Sequence, residues 1–307
     1  MILRRAVICL ALVCQVCVLH AYGAAPDSLN RSRLRTVVIG ETALYGITMV
    51  GLNQLWYADY PHSAFHFFND NREWLQMDKC GHAMTAYYVG RLGMQVMRWT
   101  GASDKQVTWW GGSLGFVFQT TIETLDGFSS EWGASWGDLL ANTTGTGLLI
   151  GQQLLWHEQR IVPKFSFHGT GFAKYRPEAL GSNWQESLLK DYNGQTYWLS
   201  VNPHSFLLKT KDEQGGWPRW LNVAIGYGAE GMTGGHYNPL YVDANGNQVT
   251  FERYRQAYLS LDIDLTRIEV KSKALRFLFQ TFGFLKVPAP ALELNRKQGL
   301  VFHPLYF

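Results

Sequence analysis

Residues 136–156 read Trp136-Gly-Asp138-Leu-Leu-Ala-Asn142-Thr-Thr-Gly145-Thr-Gly147-Leu-Leu-Ile-Gly151-Gln-Gln-Leu-Leu-Trp156, an apolar and glycine-rich stretch that predicts a helix. Asp138 and Asn142 are four residues apart, so they lie on one face of that helix. Carboxylates rarely enter helices this apolar unless they are paired, bind a ligand or face water. The polar beginning of this helix is therefore a candidate site.

Two earlier stretches have the same character, with polar residues at one end. One helix is predicted from Asp78 to Trp99 and begins Asp78-Lys79-Cys80-Gly81-His82; the next runs from Asp104 to Leu125 and closes with Glu123-Thr124-Leu125-Asp126-Gly127. Sequential helices joined by short loops lie antiparallel. We therefore expect the polar motifs at the same end of one bundle, as a single polar site: Asp78, Lys79, His82, Glu123, Asp126, Asp138 and Asn142.

A fourth helix is predicted from about Leu34 to Tyr57, which completes an N-terminal four-helix bundle. The loops Ala58–Met77 and Gly127–Gly137 are rich in aromatic residues and follow helices that end on the side of the polar motifs. Loops of this kind are expected to cover the site, as a lid or as a collar at a membrane interface.

The sequence leaves open whether this bundle is embedded in a membrane. Each helix has about the 17–25 residues that a bilayer crossing requires, and several glycines provide small faces for close helix packing. Glu41 and several glutamines interrupt the apolar stretches, and the mean hydropathy of the chain is slightly negative. A buried bundle in a peripheral or water-soluble protein is the alternative.

After Trp156 an alternation of apolar and polar residues replaces the helical pattern and predicts a β-rich, antiparallel C-terminal segment. Residues 259–266 alternate strictly, and Asp243-Ala244-Asn245-Gly246 predicts a hairpin turn. Lys273–Leu285 is predicted to form an amphipathic helix. The chain ends on Phe307, which is typical of the last strand of an outer-membrane protein, but Pro304 interrupts that strand. An ordinary antiparallel sheet is the favoured interpretation, and the fold class is α+β.

The N-terminus has the three parts of a secretory signal peptide: Arg4-Arg5, an apolar run from Ala6 to Leu19, and small residues up to Ala25. We predict a signal peptide at residues 1–24, a helical bundle at 30–157 and a β-rich segment at 158–307, with an uncleaved membrane anchor as the alternative for the first segment. Export to the periplasm or outer membrane of a Gram-negative bacterium follows, and the inner membrane is less favoured.

The cysteines of the chain predict neither lipidation nor a disulfide. Cys9, Cys14 and Cys17 lie inside the predicted signal peptide, and none follows the small residue pair of a lipoprotein cleavage site. Cys80 is left alone in the mature chain, so no internal disulfide can form.

Composition excludes several classes of protein. The chain has 307 residues, 47% of them hydrophobic and only 17% charged, with a net charge of +3. Such a chain folds and does not resemble a disordered one. The near-neutral charge and the lack of a basic stripe argue against nucleic acid as a partner. No Gly-x-Ser-x-Gly nucleophile elbow is predicted, because the one stretch with that pattern, Gly111-Gly-Ser-Leu-Gly115, lies inside the predicted helix Asp104–Leu125 and does not follow a strand. No phosphate-binding glycine loop follows a strand either.

Three ordered motifs give the helical stretch a resemblance to a known family: Asp78-Lys79-x-x-His82, the pair Glu123 and Asp126, and Asp138-x-x-Ala141-Asn142-x-x-Gly145. They resemble the YfiM-like family of predicted periplasmic lipoproteins, a domain of unknown function, and more distantly the VanZ-like membrane proteins linked to glycopeptide resistance. The resemblance covers about Asp78 to Gly151. Residues 191–200 and 255–267 resemble the longer versions from Bacteroidota. Neither family implies a settled reaction.

The polar site allows three interpretations. In the first, it binds an envelope amphiphile or glycolipid beneath the aromatic loops, with Lys79 and Arg72 near an anionic head group. In the second, Asp78, His82, Glu123 and Asp138 hold a divalent metal that activates water for hydrolysis of an envelope lipid or phosphate ester. In the third, the cluster is a polar network that only fixes helix register. Membrane or envelope lipid is the expected partner, and whether the protein is an enzyme stays open.

Overall fold

The computed structural model describes residues 28–54, 61–207, 217–242 and 245–306. They divide into two compact units. The helical unit comprises residues up to Asp70 and from His82 to Glu158, and the sheet unit comprises Asn71–Gly81 and Gln159–Phe307. The predicted signal peptide at residues 1–24 and the first half of the predicted hairpin turn lie outside the described residues.

The helical unit is built from long helices close to the predicted ones. Helix α1 spans Arg31–Leu52, α2 Met77–Trp99, α3 Asp104–Gln106, α4 Gly112–Gly127 and α5 Trp136–Trp156, with a π-helical turn at Val107–Gly111 between α3 and α4. Residues 77–81 of α2 belong to the sheet unit and residues 82–99 to the helical unit. Asn30, Ser103 and Ser135 cap the helix starts by accepting backbone N–H groups.

Glycines allow α2 to approach α4 and α5 backbone to backbone. A Cβ atom on Gly115 of α4 would lie 1.9 Å from the carbonyl oxygen of Ala86 in α2, and one on Gly145 of α5 would lie 1.9 Å from that of Ala83. Both separations are impossible for any residue other than glycine. The contacts hold α2 between its two neighbours and fix its position along them.

Among the described residues, no helix combines the length and the hydrophobicity needed to cross a membrane.

The second half forms the predicted antiparallel sheet. Its strands are β1 Ile161–Phe167, β2 Gln195–Val201, β3 Leu221–Glu230, β6 Tyr254–Ile263, β7 Ala289–Asn295 and β8 Gly299–Tyr306, paired in that order, with all neighbours antiparallel. Strands β4 Tyr241–Val242 and β5 Gln248–Val249 form a separate small hairpin. The α+β fold class, with helices first and an antiparallel sheet after them, is confirmed.

Two details of the prediction were wrong. The described residues contain more α-helices than the four of the bundle and the one predicted at Lys273–Leu285, which is present as α9 Lys273–Phe282. The sheet unit has further short ones: α6 Pro177–Leu180, α7 Trp184–Lys190 and α8 Pro203–Leu207. These helices connect strands and lack the length that marked the bundle helices in the sequence. Pro304 does not interrupt β8. It lies in an edge strand next to a register shift, where the missing N–H leaves no ladder bond broken.

The glycine contacts predict opposite effects for two substitutions on the same helix. Gly145→Ala should lower the free energy of unfolding by about 1–3 kcal/mol or more, because its Cβ meets the Ala83 carbonyl. Gly147→Ala is the matched control: its Cβ would meet nothing within 4 Å, and alanine should stabilise the helix by about 0.8–1 kcal/mol. Urea unfolding of both variants measures the difference. Equal effects would contradict the close approach of α2 and α5.

Candidate functional site

Three helices of the helical unit bring His82, Glu123 and Asp138 together. His82 lies in α2, Glu123 near the end of α4 and Asp138 at the start of α5. His82 Nδ1 is 3.6 Å from Glu123 Oε1, and His82 Nε2 is 3.8 Å from Asp138 Oδ1. Both carboxylates are buried, whereas the imidazole is partly exposed. One ligand atom from each residue lies within 4.8 Å of the other two.

Two amides lie beside the Nδ1 atom of the imidazole. Asn142 Oδ1 lies 3.1 Å from Nδ1, and Gln119 Nε2 lies 3.2 Å from it. An N–H on Nδ1 would be donated to Asn142 Oδ1 and would leave the Nε2 lone pair facing Asp138. In this tautomer Nδ1 has no lone pair for the Gln119 amide, which could donate to Nδ1 only in the other tautomer. The tautomer with its N–H on Nδ1 presents Nε2 as a ligand, because the hydrogen bond at one ring nitrogen selects the protonation of the other.

Ser135 connects the Glu123 carboxylate with the backbone at the start of α5. Its Oγ accepts the N–H of Asp138 at 3.2 Å as the N-cap of α5, and its own backbone N–H donates to Glu123 Oε2 at 3.0 Å. In a capping box, the carboxylate three residues along the helix would take that second bond. Here Glu123 takes it instead, and Asp138 Oδ1 lies 3.8 Å from His82 Nε2.

The loop Pro61–Asp70 packs against the loop that connects α4 and α5. His66 N donates to the carbonyl of Gly127, Phe68 N to that of Ala134, and the Ser135 hydroxyl to the Asp70 carboxylate. These bonds hold several exposed aromatic rings next to the N-cap of α5: Phe65, Phe67, Phe68, Phe128, Trp132 and Trp136. Phe67 and Trp136 are stacked with centroids 4.6 Å apart. We call these six residues the aromatic cluster.

Burial makes the Glu123 carboxylate hard to ionise. Its pKa is raised to about 8, first by desolvation and then by the negative charges of Asp138, Asp126 and Asp70, and the Ser135 N–H only partly offsets this rise. Its Oε1 atom is buried and has no hydrogen-bond partner among the described residues. Buried oxygens in a closed polar network normally have a partner, so this atom faces a place where a cation or a proton is favourable.

The other predicted site residues are placed differently. Asp126 lies three residues after Glu123 on α4 and contributes to the raised pKa. Asp78 and Lys79 belong to the sheet unit and form an ion pair of 2.8 Å with each other, and Arg72 belongs to that unit as well. Their participation in the polar site stays a prediction.

Ser135 and Asp70 also belong to the site but were not among the predicted site residues. Ser135 stands three residues before Asp138, a spacing that is typical of a helix N-cap and could have been recognised. Asp70 lies in a loop, and only the pairing of the two loops brings it to Ser135. No local sequence pattern predicts the contact between Asp70 and Ser135.

The residues present fit a divalent cation. Two ligands with bonds of about 2.0–2.2 Å can lie up to about 4 Å apart. The 3.8 Å between His82 Nε2 and Asp138 Oδ1 falls within that span while exceeding hydrogen-bond length, and one ligand atom of each of the three residues lies within 4.8 Å of the other two. An imidazole with two carboxylates is a mixed nitrogen and oxygen set that suits first-row divalent ions. Such an ion would also neutralise the carboxylate charges that raise the Glu123 pKa.

Residues 66–151 match the model of a family described as predicted periplasmic lipoprotein (DUF2279). The matched range contains His82, Glu123, Asp138 and Asn142, and it ends before the sheet unit resumes at Gln159. The description supports an exported, periplasmic location. No curated protein and no solved structure matches the chain.

The raised pKa of Glu123 predicts a pH dependence of stability in chelator-treated protein. The folded state keeps the proton up to about pH 8, while the unfolded state releases it near its ordinary value. The folded state therefore binds more protons in that window, and stability falls as pH rises through it, by at most about 1.4 kcal/mol per pH unit. Glu123→Gln should flatten this slope. Glu131→Gln, an exposed glutamate of the neighbouring loop, is the control and should leave it unchanged. Thermal melts from pH 5 to pH 9 test this, and an unaltered slope in Glu123→Gln would show that the carboxylate ionises normally.

Proposed function

We propose that this exported envelope protein binds a divalent cation between His82, Glu123 and Asp138. The observation that supports the proposal most is the buried Glu123 Oε1, which lacks a hydrogen-bond partner among the described residues and lies 3.6 Å from the imidazole. A network that only fixed helix register would close such an atom with a hydrogen bond, since an open buried acceptor costs about 1–3 kcal/mol. A bound cation would take Oε1 as a ligand and so remove the cost of leaving this acceptor without a partner.

The proposed ligands have separate roles. His82 provides Nε2, and Asn142 orients the ring by accepting the Nδ1 N–H. Asp138 provides a carboxylate oxygen at the start of α5, and Glu123 provides Oε1 while Ser135 holds its other oxygen. A bound divalent ion would supply Lewis-acid polarisation of an anionic oxygen.

We further propose that the cation holds the anionic head group of an envelope amphiphile. The aromatic cluster supports this, because its exposed rings lie beside Ser135, the N-cap residue that donates to the Glu123 carboxylate and accepts the backbone N–H of Asp138. Rings at that position can cover an acyl chain while the head group reaches the ion. The same proposal includes residence in the periplasm or on the outer membrane. It also includes a relation to the YfiM-like and VanZ-like proteins, and the motifs quoted above support both.

Cation binding is tested by titrating Mn²⁺, Zn²⁺ and Mg²⁺ into chelator-treated protein by calorimetry. The wild type should bind one equivalent of at least one ion, and His82→Ala and Asp138→Asn should each weaken binding at least tenfold through loss of a ligand. His157→Asn is the control, because this histidine ends α5 in a left-handed conformation that asparagine tolerates. Absence of binding by folded wild-type protein would leave the network interpretation in place.

Amphiphile binding is tested with dodecyl phosphate. The wild type should bind it more tightly in the presence of the cation, and Trp136→Ala should weaken binding about tenfold through loss of the ring stacked on Phe67. Trp110→Ala serves as the control, since Trp110 is the more exposed tryptophan and lies in the π-helical turn. Equal loss in both variants, or binding that ignores the cation, would contradict the proposal without affecting the cation site.

A further inference from the structure

The sheet unit has an apolar row that crosses its sheet on the exposed face. In register, Leu199 pairs with Ile225, Ile225 with Leu259, Leu259 with Leu292, and Leu292 with Phe302. These five side chains are 40–62% exposed. Strands lie about 4.8 Å apart, so the row extends over about 19 Å. Further exposed apolar residues lie on the same strands: Leu261, Leu294 and Leu300.

The opposite face of the sheet is buried, and many polar side chains lie on it beside the core cluster of Trp198, Ala224 and Tyr258. Lys164 Nζ lies 3.1 Å from Asp262 Oδ2, to which Ser200 Oγ also donates, and both ionic side chains are fully buried. Further along the same face, Glu293 accepts from Gln256 at 2.8 Å and pairs with His303 at 2.7 Å. A one-sided antiparallel sheet in water normally has the reverse arrangement, with its apolar face inside. The outward face therefore needs an apolar covering.

Helix α9 continues this surface. Leu275, Leu278 and Phe282 lie on one helix face, three and four residues apart, and all three are exposed. Three residues after the helix, Leu285 forms an isolated parallel β-bridge with Phe165 of β1, and its side chain is also exposed. Phe165 alternates with the inward-pointing Lys164, so it lies on the outward face. The apolar surface thus runs from the sheet to the segment that follows α9.

Basic residues line a cavity at the beginning of α9. The cavity has a volume of about 690 Å³ and is lined by Arg219, Arg267, Lys271 and Arg276, with Glu269 as its one acidic residue. Lys271, Lys273 and Arg276 lie around the first turn of α9, where positive charge is unfavourable to the helix dipole. Helix stability therefore does not explain why these three basic residues lie there. An amphipathic helix with exposed apolar residues and basic neighbours is typical of attachment to an anionic bilayer.

We propose that the sheet unit docks on an anionic lipid bilayer, with acyl chains covering the outward row of the sheet and phosphate head groups meeting the basic cavity at α9. Charge complementarity selects this occupant. A bilayer surface rich in anionic lipid neutralises the cavity residues, whereas a symmetric second copy of the chain would bring the same basic cluster to the interface. The docking surface is separate from the proposed cation site and does not depend on it.

The test uses the purified full-length protein and vesicles of phosphatidylglycerol and phosphatidylcholine. A fluorescent amino acid is incorporated at position Leu259, in the centre of the row, or at the control position Leu189, an exposed leucine of α7. Brominated acyl chains should quench the fluorophore at position 259 and leave that at position 189 unaffected. Soluble iodide should quench position 259 only before vesicles are added.

Two other occupants give different results, and each would overturn the proposal. A second copy of the chain would protect position 259 from iodide without vesicles, together with dimerisation in sedimentation experiments. A covering by another part of the same chain would protect it from iodide in a monomer, and brominated lipid would have no effect.

The charge contribution is tested by vesicle sedimentation. Each basic residue near an anionic surface contributes about fivefold to binding, so Lys271→Gln with Arg276→Gln should weaken binding about 25-fold and reduce its salt dependence. Lys174→Gln with Lys190→Gln, two lysines outside the cavity, is the control pair. Inorganic phosphate at millimolar concentration should not compete; competition by it, or equal losses in both pairs, would overturn the bilayer as the occupant.

Discussion

The helical unit depends on two contacts in which a glycine faces a carbonyl group. Gly115 and Gly145 let α4 and α5 approach the α2 backbone at Ala86 and Ala83, closer than any side chain would permit. His82 directly precedes Ala83, so the contact that fixes α2 also fixes the imidazole. Glu123 on α4 and Asp138 on α5 then lie within 4 Å of the ring because the helices themselves position them. Rigid helices hold a site more firmly than loops do.

Close packing creates the electrostatic difficulty of the same site. Burial disfavours the charged form of Glu123, and the nearby carboxylates add repulsion, so the pKa of Glu123 is raised to about 8. A proton and a divalent cation therefore compete for one place. If the cluster only fixed helix register, a second donor would be expected at Glu123 Oε1. Ser135 donates only to Oε2, and Oε1 has no hydrogen-bond partner among the described residues. The unpartnered Oε1 atom is the observation on which the proposed cation site rests.

Sequence reasoning could place the side chains that depend on helix period and chain direction. The spacing of Asp138 and Asn142, and the alternation of helix directions, suffice to predict that His82 and Glu123 lie beside them. Asp70 could not be found in this way because its contact with Ser135 is made by two irregular loops. The membership of residues 71–81 in the sheet unit was equally hidden, since Met77 packs on Ala229 and Met232 far along the chain.

Alternation in the sequence also identified the two faces of β6 but not which of them is buried. Apolar Leu259 and Leu261 would ordinarily point inward, yet the polar face is buried because its members satisfy one another: Lys164 with Asp262, Asp262 with Ser200, and Glu293 with His303. A slip of one residue between strands would exchange the faces and separate every such pair. In this sheet, buried polar contacts therefore help to specify the register, together with the packing of Trp198, Ala224 and Tyr258 on the same face.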